Sequence, residues 1–355
     1  MRDVYKGGRW VYSSKTDKLK FTSSMHIISL AVVFQYLIFR ELPEIIYALF
    51  GFLIYDTGIL DLEFFDFFEP EEISYMLINL MAILTTLIAC AATGAFIVLC
   101  LKKFGPGTYI HTKDSVSYKF KLPKHTPALL IAGVCIMEVS TFAYMFLNFL
   151  LDKFFDISPI LPAAAQTYFP QSIAGVILYI ISLVIIPALA EEFVCRYVML
   201  NALKKYGNTF AIIATSIFFG FTHARMSAFI YATAMGLLLA YIAIKTKSVW
   251  FSVILHALVN FISFIFQYLS SLPFLYEESV DILYLMYSAL VFLICAIYLL
   301  ILIAKKKYQY DKLETPTDHI HIAAKQKLFY FFNVASIIFF VLTILKSLEE
   351  YGIYN

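Results

Sequence analysis

Long apolar runs separated by short polar breaks fill most of this chain, and they are too long to be core helices of a soluble domain. Runs near or above the ~20 residues that a helix needs to cross a bilayer fall at about 73–101, 126–150, 172–203, 227–244, 249–270, 283–304 and 328–346. A shorter run, Thr209–Thr222, lies between two polar breaks. The first apolar region, Met25–Tyr55, is interrupted by Arg40, Glu41, Pro43 and Glu44. It predicts either one span kinked at Pro43 or a span followed by an interfacial helix. No repeat of fixed period is visible. The connection Leu313–Lys325 reads as a flexible loop, and the last passage as an accessory to the rest.

Loop charge decides how the first region is counted. Met1–Ser24 carries Arg2, Lys6, Arg9, Lys15, Lys18 and Lys20, whereas Asp56–Glu72 holds seven acids and no Lys or Arg. Lysines recur at Lys102 to His125, at Lys204 and Lys205, at Lys245 and Lys247, and from Lys305 to Lys327. Counting Met25–Tyr55 as one passage puts every basic connection on one side, the cytoplasmic one. The pattern therefore predicts an all-α, polytopic membrane protein of about nine transmembrane helices, N-terminus inside and C-terminus outside, with Thr209–Thr222 crossing although it is short. It divides into a cytoplasmic segment (1–24), N-terminal spans (25–170), a core (171–270) and C-terminal spans (271–355). Met1–Ser24 has no apolar stretch followed by a cleavage site, so no cleaved signal peptide is expected.

Composition agrees: 61% of the 355 residues are hydrophobic and 15% charged, against about 45–50% and 25% in soluble domains. No basic block interleaved with aromatics suggests nucleic acid. Cys90, Cys100, Cys135, Cys195 and Cys295 are scattered through apolar stretches without a Cys-x-x-Cys pair, and they read as small buried hydrophobes.

Against this background Ala190-Glu191-Glu192-Phe193-Val194-Cys195-Arg196 stands out. It lies inside the 172–203 run, at membrane depth, where each unpaired charge costs roughly 3 kcal/mol. On a helix Glu192 and Arg196, four apart, stack on one face and form a natural ion pair, while Glu191 points away. That pair is structural on its own terms. An unpaired intramembrane carboxylate has no such explanation.

Three further polar residues interrupt apolar surroundings: His223, His256 and Asn260. Singly they are packing residues or interhelical glue. Depth groups them. At ~1.5 Å per residue, Glu191 lies about 20 Å from Lys204 and Lys205, His223 about 21 Å from Thr209, and Asn260 about 20 Å from Lys247, with His256 one turn below on the same face. A carboxylate paired with a His takes a proton from water, and a second His with an Asn donates hydrogen bonds to an oxyanion. That equipment hydrolyses an amide without a covalent nucleophile.

Glu191-Glu192-x-x-x-Arg196, Phe219-x-x-x-His223 and His256-x-x-x-Asn260 resemble, in order and spacing, the three motifs of the CAAX-protease and bacteriocin-processing family, often called the Abi family. The resemblance covers about 171–267. It implies a glutamic intramembrane endopeptidase without a metal or other cofactor, its cavity open to the cytosol. Glu191 and His223 would activate the attacking water, His256 and Asn260 would stabilise the oxyanion, and Glu192, Arg196 and Phe219 would support the site. The substrate would be a peptide or protein at the membrane, for which a prenylated motif, a leader peptide and a signalling peptide all fit. The composition suits a bacterial cell membrane.

Competing readings are a zinc hydrolase with Glu191, His223 and His256 as ligands, which lacks the His-Glu-x-x-His pattern; a non-catalytic peptide-binding or immunity protein, in which loss of Glu191 or a histidine would be expected; and a transporter using Glu191 and Glu138, which lacks an inverted repeat. Pro187 predicts a bend four residues before Glu191. Glu138 reads as an interhelical hydrogen-bonding group, Asp318, His319 and His321 as a solvated loop, and Arg225 as an interfacial anchor.

Overall fold

The computed structural model describes residues 2–6, 9–12, 15–51, 70–105, 114–123, 126–155, 169–170, 172–224, 226–272, 277–304 and 320–350. Two strands, β1 (Arg2–Lys6) and β2 (Arg9–Tyr12), pair antiparallel with Lys6 opposite Arg9. Gly7-Gly8 between runs containing Val4, Tyr5, Trp10 and Val11 is a hairpin signal that the basic character of this segment masks. The other named elements are helices.

They are α1 (Lys15–Gly51), α2 (Pro70–Phe104), α3 (Thr126–Phe155), α4 (Ile173–Tyr206), α5 (Asn208–Thr222), α6 (Met226–Thr246), α7 (Trp250–Ser271), α8 (Glu277–Ala304), α9 (Ala324–Phe331) and α10 (Val334–Glu350). Among the described residues six helices, α1–α4, α6 and α7, are long and apolar enough to cross a membrane. The first region is one helix that runs through Pro43 to Gly51. The 328–346 run, expected as one passage, is broken: α9 and α10 meet at 55°, and counting them as one span gives seven. Asn333 makes the break, its Oδ1 accepting from the Ala335 and Ser336 amides at the start of α10. α5 and the Ile282–Tyr298 part of α8 are apolar but shorter. The nine-pass count requires both to cross; with the cytoplasmic N-terminus it is a proposal that stands on loop charge.

α4 carries the charged cluster, and its backbone is not uniform. π-helical turns at Ile181–Ile185 and Phe193–Met199 flank Pro187, with the Ile186 N–H bonded back five residues to the Ile181 carbonyl. Such widened turns absorb a residue that cannot donate, and they recur at functional sites. The start of α4 is fixed by Ser172, whose Oγ accepts from the Gly175 amide at 2.9 Å and donates to Glu72 Oε1 on α2. A second tie joins Ser182 Oγ to Asn79 Oδ1 at 2.5 Å. Gly207, at φ 122°, turns the chain from α4 into α5, a conformation open to glycine and few others.

Small residues bring the remaining helices together, as lipid offers no hydrophobic drive between them. A Cβ at Gly220 would collide with Thr233 of α6, one at Gly133 of α3 with Leu255 of α7, and one at Gly236 would crowd Ser216. The C-terminal helices are no accessory. Phe331, Phe339 and Phe340 pack on Phe218 of α5 in the largest buried cluster, which also takes in Phe21, Met25 and Ile28 of α1. Asn333 donates to Ser29 Oγ at 2.7 Å, and Tyr36 to the Leu342 carbonyl at 3.3 Å.

Candidate active site

Glu192 and Arg196 lie one turn apart on α4, with Arg196 Nη1 3.0 Å from Glu192 Oε1 and side-chain exposures of 1% for the arginine and 0% for the glutamate. The guanidinium makes no aligned hydrogen bond among the described residues; it is held by charge, and by the Phe219 ring of α5, whose centroid lies 4.5 Å from Cζ. A cation over an aromatic face gains a cation–π attraction, which Arg makes more often than Lys.

His256 joins the two carboxylates. Its Nδ1 is 3.1 Å from Glu192 Oε1 and its Nε2 is 3.9 Å from Glu191 Oε2. The first is a hydrogen bond; the second is too long for one. Glu191 Oε2 is buried with no hydrogen-bond partner among the described residues, although its side chain is 21% exposed overall. The glutamate without a pairing role in the wheel argument thus keeps a free oxygen, facing an imidazole nitrogen.

His223 sits just past the end of α5, and its Nδ1 lies 2.9 Å from the Phe219 carbonyl. A carbonyl only accepts, so Nδ1 carries the proton, and in the neutral ring Nε2 keeps its lone pair. No hydrogen bond or ion pair joins His223 to Glu191 in the structure. The two histidines share one wall instead: the Phe219 ring meets His223 edge-on at 5.0 Å and His256 at 5.7 Å. Phe219 is therefore the surface on which Arg196, His223 and His256 are arranged.

Asn260 is one turn beyond His256 on α7, and its Nδ2 donates to the Leu183 carbonyl on α4 at 3.1 Å. Leu183 is four residues before Pro187, so in a regular α-helical register its carbonyl is the one that loses its donor to the proline. The amide occupies the acceptor that the proline leaves free. This tie was missed in the sequence, although the spacing of Leu183 and Pro187 was the signal for it. It clamps α7 to α4 beside the widened turn.

On the lysine-rich side a segment of 114–123 lies against the end of α4. Asn201 bonds both the amide and the carbonyl of Val116 at 2.8 Å, and Val116 is fully buried. Ser117 bridges to Ser248, Asp114 pairs with Lys247 at 2.8 Å, and the Tyr118 ring stands 5.0 Å from Tyr197, one residue past Arg196. Burial and then the negative charge of Glu192 push the Tyr118 hydroxyl up to about 12.

Elsewhere, Glu138 of α3 accepts from Tyr284 at 2.9 Å and Ser288 at 2.7 Å, both on α8, as an interhelical group does. The described cysteines are free thiols. Among the described residues no group of three or more His, Cys, Asp and Glu is arranged to hold a metal ion. Arg225, Asp318 and His319, and most of the Leu313–Lys325 connection, lie outside the described residues.

A helical membrane protein in which an arginine and two histidines meet one aromatic ring, beside two glutamates, defines a class: polytopic proteins with a polar site among their apolar helices. Residues 173–262 match the family described as type II CAAX prenyl endopeptidase Rce1-like. The match supports a likeness of this core to the CAAX-protease and bacteriocin-processing family. Among curated relatives, the protein named "Putative membrane peptidase YdiL" from Bacillus subtilis (strain 168) is 33% identical over 89 residues, which is 25% of this chain and 36% of that relative. The chain thus spans about a third of the length of the relative it matches. No solved structure matches at a significant level.

Proposed function

We propose that this protein is an intramembrane peptidase that hydrolyses a peptide bond of a membrane-associated or lipidated peptide with water activated by Glu191. The observation that carries the reading is the free Glu191 Oε2 facing His256 Nε2 at 3.9 Å, inside a network whose other charges are already paired. Glu192 and Arg196 neutralise each other, and the scheme requires His256 to present Nδ1–H to Glu192 and Nε2–H to the oxyanion.

In the proposed reaction Glu191 Oε2 takes a proton from water while the water oxygen attacks the scissile carbonyl carbon, with the Nε2 lone pair of His223 as the second acceptor at the site. The carbonyl oxygen gains the negative charge, and the Nε2–H of His256, oriented by Glu192 through Nδ1, stabilises it. The carbon–nitrogen bond then breaks as the proton held by Glu191 passes to the leaving amine. Preorganised donors in a site shielded from water account for the largest share of such catalysis. Asn260 would act beside His256 chiefly by holding α7 against α4. The family core and the relative's printed name support a membrane peptidase; substrate class and mechanism are our reading.

Purified full-length protein in liposomes, tested on membrane-anchored peptides, decides this. Glu191→Ala and His223→Ala should each remove nearly all cleavage while circular dichroism stays unchanged. Persistent cleavage in both variants would reject the water-activation scheme. Glu191→Gln should retain a bound substrate from native membranes for identification by mass spectrometry.

A further inference from the structure

Residues 114–123 cross from one helix of the site to another. At one end Val116 is fully buried in the cluster that includes Val198 and Leu200 of α4. Asn201 of α4 takes both of its backbone groups: Oδ1 accepts from the Val116 amide and Nδ2 donates to the Val116 carbonyl, each at 2.8 Å. At the other end Leu122 packs against the cluster of Met137, Leu239, Phe251 and Leu255, drawn from α3, α6 and α7. Between these two pegs the chain is tied to the turn that opens α7. The Ser117 amide donates to the Lys247 carbonyl and the Val249 amide to the Ser117 carbonyl, both at 3.1 Å. Ser248 Oγ donates to the Lys119 carbonyl and Trp250 Nε1 to the Tyr118 carbonyl, both at 2.7 Å.

The placement of this crossing gives it a use. α4 carries Glu191 and Glu192, and α7 carries His256; the segment bridges the two on the lysine-rich side, to which loop charge assigns the cytosol. At ~1.5 Å per residue, Asn201 lies about 13 Å along α4 from Glu192, and Trp250 about 9 Å along α7 from His256. The Tyr118 ring stands between them, 5.0 Å from Tyr197 of α4. A peptide entering between α4 and α7 from that side meets the segment before it meets the glutamates.

The segment is held at its ends and little buried in its middle. Tyr118, Lys119, Phe120 and Lys121 are exposed, so lifting this stretch uncovers little apolar surface, and such regions open at a small fraction of the global stability. Lys247, whose carbonyl also accepts from Ser117 Oγ and whose ammonium pairs with Asp114 at 2.8 Å, sits at φ 55°. That left-handed conformation costs a lysine energy, and residues held in it cluster at clamps and switches. We propose that residues 114–123 are a strap that closes the lysine-side mouth between α4 and α7, and that a peptide reaches Glu191 only when Val116 leaves Asn201. The proposal rests on the peptidase reading for what passes the mouth, but the movement of the strap is measured without catalysis.

Ser117 and Ser248 are partners in a parallel bridge, so a disulfide between cysteines at these positions fixes the strap shut. Full-length Ser117→Cys/Ser248→Cys protein in liposomes, oxidised with copper phenanthroline and checked for the cross-link by mass spectrometry, should lose nearly all cleavage of membrane-anchored peptides. Dithiothreitol should restore it, and the parent protein treated alike should be unchanged. Cleavage by the cross-linked protein at the rate of its dithiol form overturns the strap. The second arm uses Glu191→Gln protein carrying Val116→Cys and a membrane-impermeant maleimide. Asn201→Ala, which removes two hydrogen bonds, should speed labelling about tenfold, and Ser248→Ala, which removes the bond to the Lys119 carbonyl, about threefold. Rates equal to that of the unaltered strap in both variants overturn the latch. Faster labelling in these variants with no cleavage by the parent would sink the peptidase reading alone; cleavage untouched by the cross-link would sink the strap alone.

Discussion

Replacing Arg196 tests the electrostatic design of the site most directly. At 3.0 Å, with an effective dielectric constant near ~20, the attraction between Arg196 and Glu192 is about 5 kcal/mol, to which the face of Phe219 adds about 2 kcal/mol. Much of this offsets the cost of withdrawing both ions from solvent. The expected loss for Arg196→Met is therefore the smaller figure for stranding a buried partner, about 3–5 kcal/mol. Glu192→Gln should also destabilise, but it retains an oxygen acceptor for His256 Nδ1. The double variant has no uncompensated ion, so its loss should fall short of the sum of the single losses by about 2 kcal/mol or more. Reversible unfolding of the full chain in mixed detergent micelles, monitored by circular dichroism, gives all three values. Additivity within about 0.5 kcal/mol would mean that the two side chains do not stabilise each other, and the account of them as a buried ion pair would fall.

The remaining predictions concern backbone and packing. Asn260→Ala should cost about 1–2 kcal/mol of stability, and much less in a Pro187→Ala background, where the new N–H at 187 can serve the Leu183 carbonyl; an undiminished cost there would refute the clamp. Gly220→Ala should destabilise through its collision with Thr233, and Thr233→Ala should recover most of the loss, as a thermal melt in detergent would reveal. Glu138→Gln keeps an acceptor for Tyr284 and Ser288 and should change stability by under about 1 kcal/mol, whereas Glu138→Leu, which strands both hydroxyls, should cost about 1–3 kcal/mol. The Tyr118 hydroxyl, raised from 10.0 to about 12, favours the docked segment below its unfolded pKa. That preference should fade as pH rises from about 10 to about 12, and Tyr118→Phe should remove this step from the ultraviolet titration; an ordinary tyrosine transition with no difference in the variant would contradict the docking.

By itself the sequence determined the features that periodicity and the cost of burying charge dictate. Bilayer thickness sets the length of an apolar run, so the helices at 70–104, 126–155, 173–206, 226–246 and 250–271 were legible within a few residues. The pairing of Glu192 with Arg196 was legible too, because i and i+4 meet on any helix whatever surrounds it. The tertiary structure decided what depends on neighbours. It put His256 rather than His223 beside the glutamates, since the rotation of α7 and α5 about their axes is set by contacts such as Gly133 with Leu255 and Gly220 with Thr233. It gave the amide of Asn260 to the carbonyl that Pro187 leaves free, a bond between helices 77 residues apart in the chain. It also bent the last passage at Asn333 and built it into the core through Phe339 and Phe340, where hydropathy counts residues but carries no direction. Depth along a helix can be read from one chain; which side chains face one another at that depth is fixed only when the helices pack.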